Sequence, residues 1–296
     1  MKPVYKIVFF LSLILVVASF IVMWIYPLRL GVDFQGGSVI EVVFSGNRPT
    51  MADLNKTVMG VSGVNDVNAN PAGDKGVFVR LNSVNEQTHQ DILKAISAKF
   101  GAINENRFDS IGPSVGSELR QKSIYAIVLL LISIVIYIAI VFRKISRVLS
   151  PWAMGIAALV ALIHDVSIPI GVFALLGHFY GIEISAVFVA AALTILGYSI
   201  SDTVVVFDRV RENVLRFGGK EKFGELVHKS IMQTLTRSLN TNFTVLLSLI
   251  SIYFFGGQSI KYFALALIVG IFLGAYSSIF VASPILVWWS ERRGNK

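Results

Sequence analysis

Cysteine is absent from all 296 residues, so no disulfide framework and no thiolate chemistry is open to this chain. Histidine is nearly as scarce, with 4 copies. Charge is thin throughout: Asp, Glu, Lys and Arg make up 15% of the chain against 54% hydrophobic residues. With a mean hydropathy of +0.70, there is too little polar surface to clothe one soluble core, and lipid must cover much of what is apolar. Acid is the scarcer sign, 18 residues against 26 basic ones, for a net charge of +8. Residues 27–122 hold ten of each sign, so the excess belongs to segments flanking the apolar runs. Those cations have no interleaved aromatic platform, which excludes nucleic-acid binding of the single-strand type.

Long apolar runs are what the chain has instead. Six stretches reach the roughly 20 residues needed to cross a hydrocarbon core: about 7–26, 124–142, 151–178, 184–206, 238–256 and 262–289. Tyr26, Trp152, Tyr180, Tyr253, Tyr262, Trp288 and Trp289 lie near their ends, where amphipathic rings favour the headgroup region. No small-x-small cleavage site follows the first run, which therefore reads as an uncleaved anchor. Lys2 and Lys6, then Arg143, Lys144 and Arg147, then Arg209, Arg211, Arg216, Lys220, Lys222 and Lys229, and finally Arg292, Arg293 and Lys296 fall on one side after an even number of crossings. The positive-inside tendency makes that side cytoplasmic, with both termini there and residues 27–122 outside. The expected organisation is a first helix over 1–26, an outside domain over 27–122, and a five-helix membrane domain over 123–296 with a cytoplasmic loop at about 208–236.

The outside region is too long for a loop without structure of its own. Its patterning predicts a strand at 38–44, a helix at 50–61, strands at 63–70 and 77–81, a helix at 86–99 and a strand near 102–109. That order is the split βαβ of a ferredoxin-like α+β domain. Its chemistry is sparse, with the single histidine His89 and scattered carboxylates, as for a binding or lever domain without catalysis. The segment "GVDFQGG" (31–37) does not fit a nucleotide-binding glycine pattern and precedes a strand. Gly31, Asp33, Gly36 and Gly37 read as a hinge where the first span hands over to the domain.

Three charges lie where charge is expensive. An ionised side chain at the membrane centre costs roughly 2.5 to 3.5 kcal/mol even on the lenient insertion scale. Asp202 interrupts "GYSISDTVVVFDRVREN" (197–213), with Thr194, Tyr198, Ser201 and Val205 on the same helical face. On the next span Arg237, Asn240, Thr241, Thr244, Ser248 and Ser251 recur at three- and four-residue steps. Asp202 and Arg237 are expected to pair at similar depth, supported by Tyr198, Ser201, Asn240 and Thr241. Asp165 stands mid-span after His164, whose side chain points about 100° away, so the two need not share a partner. Ala266, Gly270, Gly274 and Ser278 form a small-xxx-small packing seam. No metal site is expected.

"GVDFQGG", "HDV" (164–166), "GYSISDTVVVFDRVREN", "TLTRS" (234–238) and "FFGG" (254–257), in this order on a one-plus-five helix layout, resemble the SecF branch of the bacterial SecD/SecF family of protein-export membrane proteins. The family commonly has Asn where Ser201 stands. The resemblance implies half of a resistance-nodulation-division transporter: a bundle of six transmembrane helices with an inserted ferredoxin-like domain. It implies no enzyme activity and no cofactor beyond protons as coupling ion. It also implies SecD and the SecYEG channel as partners, YajC and YidC as further candidates, and unfolded exported polypeptide as cargo. By that resemblance, Asp202 and Arg237 fall on the family's functional intramembrane acid and arginine positions, and Asp165 on another family acid. The rival readings are a proton-driven exporter of small molecules or lipids, an intramembrane aspartyl protease built on Asp165 and Asp202, which lacks the G-x-G-D type signature, and a structural scaffold.

Overall fold

The computed structural model describes residues 2–145, 150–217 and 221–294. Of the cations used to orient the chain, Arg147, Lys220 and Lys296 and the side chains of Lys144 and Arg293 lie outside the described residues. The chain forms two compact units. One comprises Arg29–Ile124 with Tyr180–Ala186, and the other contains the rest.

The first unit is built on a four-stranded antiparallel sheet. After the short helix α2 (Val32–Gln35) come β1 (Gly37–Phe44), α3 (Met51–Met59), β2 (Val67–Ala72), β3 (Gly76–Leu81), α4 (Glu86–Phe100) and β4 (Ile103–Ile111). The strand order is β2-β3-β1-β4, the ferredoxin-like arrangement. Alternation along β1 sends Ile40, Val42 and Phe44 into a core shared with Leu54 and Val58 of α3 and Ile92 and Ile96 of α4. Both helices start at side-chain caps: Thr50 accepts from the Asp53 N–H at 3.2 Å and Asn85 from the Thr88 N–H at 2.9 Å, relieving donors that a helix start leaves unpaired. The expected strand at 63–70 begins later, at Val67. The Asn82 side chain accepts from the Asn65 N–H and donates to the Gly63 carbonyl, which pins that stretch as a turn. Pro71 is tolerated because β2 is an edge strand.

Among the described residues six segments are long and apolar enough to cross a membrane: α1 (Pro3–Ile25), α5 (Pro113–Val141), α6 (Pro151–Tyr180), α7 (Ala186–Phe217), α8 (Phe223–Phe255), and a sixth running through α9 (Gln258–Ser277) and α10 (Ser283–Gly294). The protein is a multi-pass membrane protein. Two features differ from expectation. The segment at about 208–236, read as a loop, is helical up to Phe217 and again from Phe223. Its apolar face continues at helical spacing, with Val206, Phe207, Val210 and Val214 buried against Leu226, Val227 and Ile231. Arg209–Glu212, Arg211–Asp208 and Arg216–Glu212 pairs line the other side, giving the i,i+3 and i,i+4 support of a solvated helix face. The sixth span is not uniform: a wide π turn over Ser278–Ala282 joins α9 to α10, and the Ser283 hydroxyl donates to the Ser278 carbonyl five residues back at 2.7 Å.

Candidate functional site

Helix α7 carries the first site. The Asp202 carboxylate accepts from the Ser238 hydroxyl at 2.7 Å and from the Asn242 side-chain amide at 2.6 Å, both on α8. Ser238 and Asn242 are one turn apart and buried, and the Asn242 amide also donates to the Ser238 carbonyl at 2.8 Å, which fixes its rotamer. Asp202 is therefore held by neutral donors. Among the described residues no ion pair within 4 Å joins it to Arg237. The contact expected from sequence, direct or through water, does not take the direct form, since Arg237 sits one residue, or about 100°, from the face that Ser238 and Asn242 present. Arg237, Asn240, Thr241, Thr244, Ser248 and Ser251 are exposed along α8, as are Thr194, Gly197 and Ser201 on α7. The expected polar rows exist as faces, but they point away from this chain. Two buried polar atoms beside Asp202, the Tyr198 hydroxyl and Asn242 Oδ1, lack a hydrogen-bond partner among the described residues.

The second site surrounds Asp165, whose side chain is fully buried. One carboxylate oxygen lies 2.8 Å from His164 Nδ1. The other accepts from the Ser199 hydroxyl of α7 at 2.5 Å and the Ser277 hydroxyl at the end of α9 at 2.7 Å. His164 and Asp165 thus meet despite their angular separation on α6. His164 Nε2 lies 2.7 Å from the Tyr276 hydroxyl, which accepts from Ser12 on α1 at 3.4 Å. With the imidazole proton on Nδ1, every donor in this hydrogen-bonded row points toward the carboxylate: Ser12 to Tyr276, Tyr276 to His164, and His164 to Asp165. Ser12 and His164 also line an otherwise apolar cavity of about 260 Å³.

The hydrogen-bonded row depends on close helix approach. A Cβ on Gly270 would lie 2.3 Å from Ile195 Cδ1, and one on Gly274 would lie 3.1 Å from Ser199 Cβ. These glycines bring α9 against α7 and leave room for Ser199 and Ser277 to reach one oxygen. Ser199, Ser238, Asn242, Tyr276 and Ser277 are absent from the sequence expectation. The signal for two of them was present, because Ser238 and Asn242 are four apart and share one helical face. Asp165 and Asp202 share no donor, so the structure does not bring them together as the acid pair of an aspartyl protease.

Gly31, Asp33, Gly36 and Gly37, expected as a hinge, lie in the sheet unit, far in sequence from Asp165 and Asp202. Asp33 Oδ2 accepts from the Ala186 N–H at 2.7 Å. Gly36 and Gly37 adopt φ of 78° and 121°, the left-handed region that favours glycine. Among the described residues no group of three or more His, Asp or Glu side chains has the arrangement of a metal site.

Residues 91–292 match the family model of the C-terminal part of the protein-export membrane proteins SecD/SecF, and residues 21–47 match the SecD/SecF GG motif. Protein translocase subunit SecF of Thermobaculum terrenum is 41% identical over 296 residues, covering 96% of this chain and 92% of the relative. The SecF subunit of Alicyclobacillus acidocaldarius is 37% identical, covering 100% and 96%. Among solved structures, SecDF of Thermus thermophilus, described as a translocon-associated membrane protein, aligns with a TM-score of 0.82 at 31% identity, over 97% of this chain. A second SecDF structure, in a super-membrane-facing form, aligns with a TM-score of 0.68 at 32% identity, over 98%. The chain spans 38% of each of those two longer chains.

Proposed function

This chain belongs to the SecD/SecF family as a protein-translocase subunit of the SecF type, and on that premise we propose that its α7–α8 carboxylate site couples proton entry to polypeptide export. It is a transport protein and not an enzyme, and the exporter and protease readings give way to the family assignment. The finer reading has five parts. SecD supplies the complementary half of the transporter. The pair engages the SecYEG channel, with YajC and YidC as further partners. Protons move down the proton-motive force, and no other cofactor takes part. Both termini are cytoplasmic, with residues about 27–122 periplasmic. That domain grips or releases the unfolded chain.

One observation carries the coupling reading: a carboxylate held by neutral hydroxyl and amide donors beside two unsatisfied buried polar atoms, on helices whose polar rows face away from this chain. Polar rows facing lipid gain nothing, so a partner bearing its own polar face or a wet crevice must cover them. Arg237, Asn240, Thr241 and Ser201 then act across that interface, with Arg237 as the counter-charge to a carboxylate in SecD or to Asp202 when the helices move. Protonation of Asp202 would weaken the oxygen that Ser238 and Asn242 share as acceptor, and so change which packing of α7 on α8 is favoured. A membrane potential supplies about 2.3 kcal/mol per charge per 100 mV.

The test is export of a secreted precursor into vesicles containing this chain, SecD and SecYEG, with and without an imposed proton gradient. Stimulation that requires the gradient and vanishes in Asp202→Asn is the expected result. Stimulation that ignores the gradient, or survives the substitution, overturns the coupling role.

A further inference from the structure

We propose that the GVDFQGG segment is a mechanical junction: it fastens the sheet unit to the heads of α5 and α7, and Asp33 is the residue that fixes the helix carrying Asp202. The inference rests on the coupling role proposed above and names the linkage through which motion of α7 would reach the sheet.

Three sets of contacts within the sheet unit converge on these seven residues. At the α7 head, the Gly31 N–H donates to the Ile184 carbonyl at 2.8 Å and the Ile184 N–H donates to the Arg29 carbonyl at 2.7 Å, making a parallel bridge between Leu30 and Ile184. Arg80 of β3 pairs with Glu183 and donates to the Leu30 carbonyl at 3.0 Å, so one guanidinium holds both sides of the bridge. Asp33 then accepts from the Ala186 N–H, the first residue of α7, at 2.7 Å. At the α5 head, a Cβ on Gly36 would lie 2.7 Å from Pro113 Cα, and one on Gly116 would lie 2.8 Å from the Gly36 nitrogen. At the sheet, a Cβ on Gly37 would lie 2.7 Å from the Leu81 carbonyl oxygen. The paired glycines are thus required by close backbone approach from two directions as well as by their positive φ.

The Asp33 contact is a helix cap delivered from 153 positions away. The first four N–H groups of a helix lack intrahelical partners, and a carboxylate there also meets the positive end of the helix dipole. Ser185, the local residue that ordinarily would cap, makes no side-chain hydrogen bond among the described residues. The head of α7 is therefore anchored to the segment that opens β1. Asp202 belongs to the same helix, 16 residues further along the sequence.

A chain without cysteine permits a clean test on the full-length protein with SecD. In Asp33→Ala, amide exchange in the first turn of α7 should accelerate about tenfold, the size of a lost cap, while exchange in β1 and β3 is unchanged. Gradient-dependent export should fall, and an oxidised disulfide between Leu30→Cys and Ile184→Cys in the Asp33→Ala background should restore it, with reduction reversing the rescue. Asp33→Asn, whose amide oxygen still accepts, should lie between wild type and Asp33→Ala and guards against misfolding of the alanine variant. Unchanged exchange at α7 overturns the cap. Full export with a freed α7 head, or a formed cross-link that fails to rescue, overturns the junction. Absence of gradient-dependent export in the wild-type chain instead defeats the coupling role, while the exchange result still decides the cap.

Discussion

Asp202 and Ser238 meet across α7 and α8 at 2.7 Å, with Asn242 one turn further on completing the cradle at 2.6 Å and Arg237 turned outward beside it. The acid is thus held by neutral donors on one side and flanked by an outward-facing cation.

Arg237→Met should reduce gradient-dependent export to its gradient-free level while leaving copurification with SecD intact. Retention of stimulation would show that the guanidinium has no part in coupling. Arg237→Lys should recover part of the activity, because it keeps the charge but loses the planar fork.

Replacing Asn240, Thr244 and Ser248 together by leucine separates a protein-covered row from a lipid-facing one. Leucine is favoured over polar residues in lipid, so a lipid-facing row would tolerate the change or insert better. We expect weakened recovery of SecD instead, read by affinity purification in mild detergent.

Ser199→Ala and Ser277→Ala should each destabilise the helical unit by about 1–3 kcal/mol, the cost of leaving a buried carboxylate oxygen short of a donor. Because both serve one oxygen of Asp165, the double variant should depart from the sum of the singles. Thermal unfolding in detergent measures all three.

Gly270→Val should be destabilising by about 1–3 kcal/mol through overpacking, since its Cβ would overlap Ile195. Adding Ile195→Ala should recover most of that loss. Failure of the second change to help would place the defect elsewhere than the α7–α9 contact.

Burial raises the Glu183 carboxyl above the ordinary 4.5, outweighing the opposing pull of Arg80 and Arg29. The folded state therefore holds this proton more tightly than the unfolded one. Its stabilising contribution is fully present below pH 4.5 and is lost as pH rises through the elevated value. Glu86 runs the other way: hydrogen bonds from Gln90 and His89 lower it, so its small contribution is present above the ordinary value and lost in acid. Glu183→Gln should flatten the first slope and leave the second, as read by amide exchange in the sheet unit between pH 4 and 7.

The apolar runs and the alternation in residues 38–44 announced the spans and the sheet, because both follow from local periodicity. Much less of the site could be read that way. Asp202, Arg237 and Asp165 stand out by the cost of their charge in lipid, but a serine costs little anywhere, so Ser199, Ser238 and Ser277 carried no comparable signal. The expected Asp202–Arg237 contact rests on the cost of unpaired charge and on similar depth, neither of which resolves the one-residue offset about the axis of α8 that gives the direct hydrogen bonds to Ser238 and Asn242. The helical extension past Asp208 was hidden because charge along one face resembles a loop until the buried Val210 and Val214 are placed. The Asp33 cap joins residues 153 apart, a distance at which no local pattern speaks.

The wide turn at Ser278–Ala282 also sets a rule for comparing sequences. It inserts one residue relative to an α-helical count, so every position after it is phased about 100° away from where the spacing of Ala266, Gly270 and Gly274 would put it. An alignment or chimera that closes this surplus by a single deletion would rotate the remaining stretch, and the tryptophans at 288 and 289 would exchange their neighbours without any change in composition.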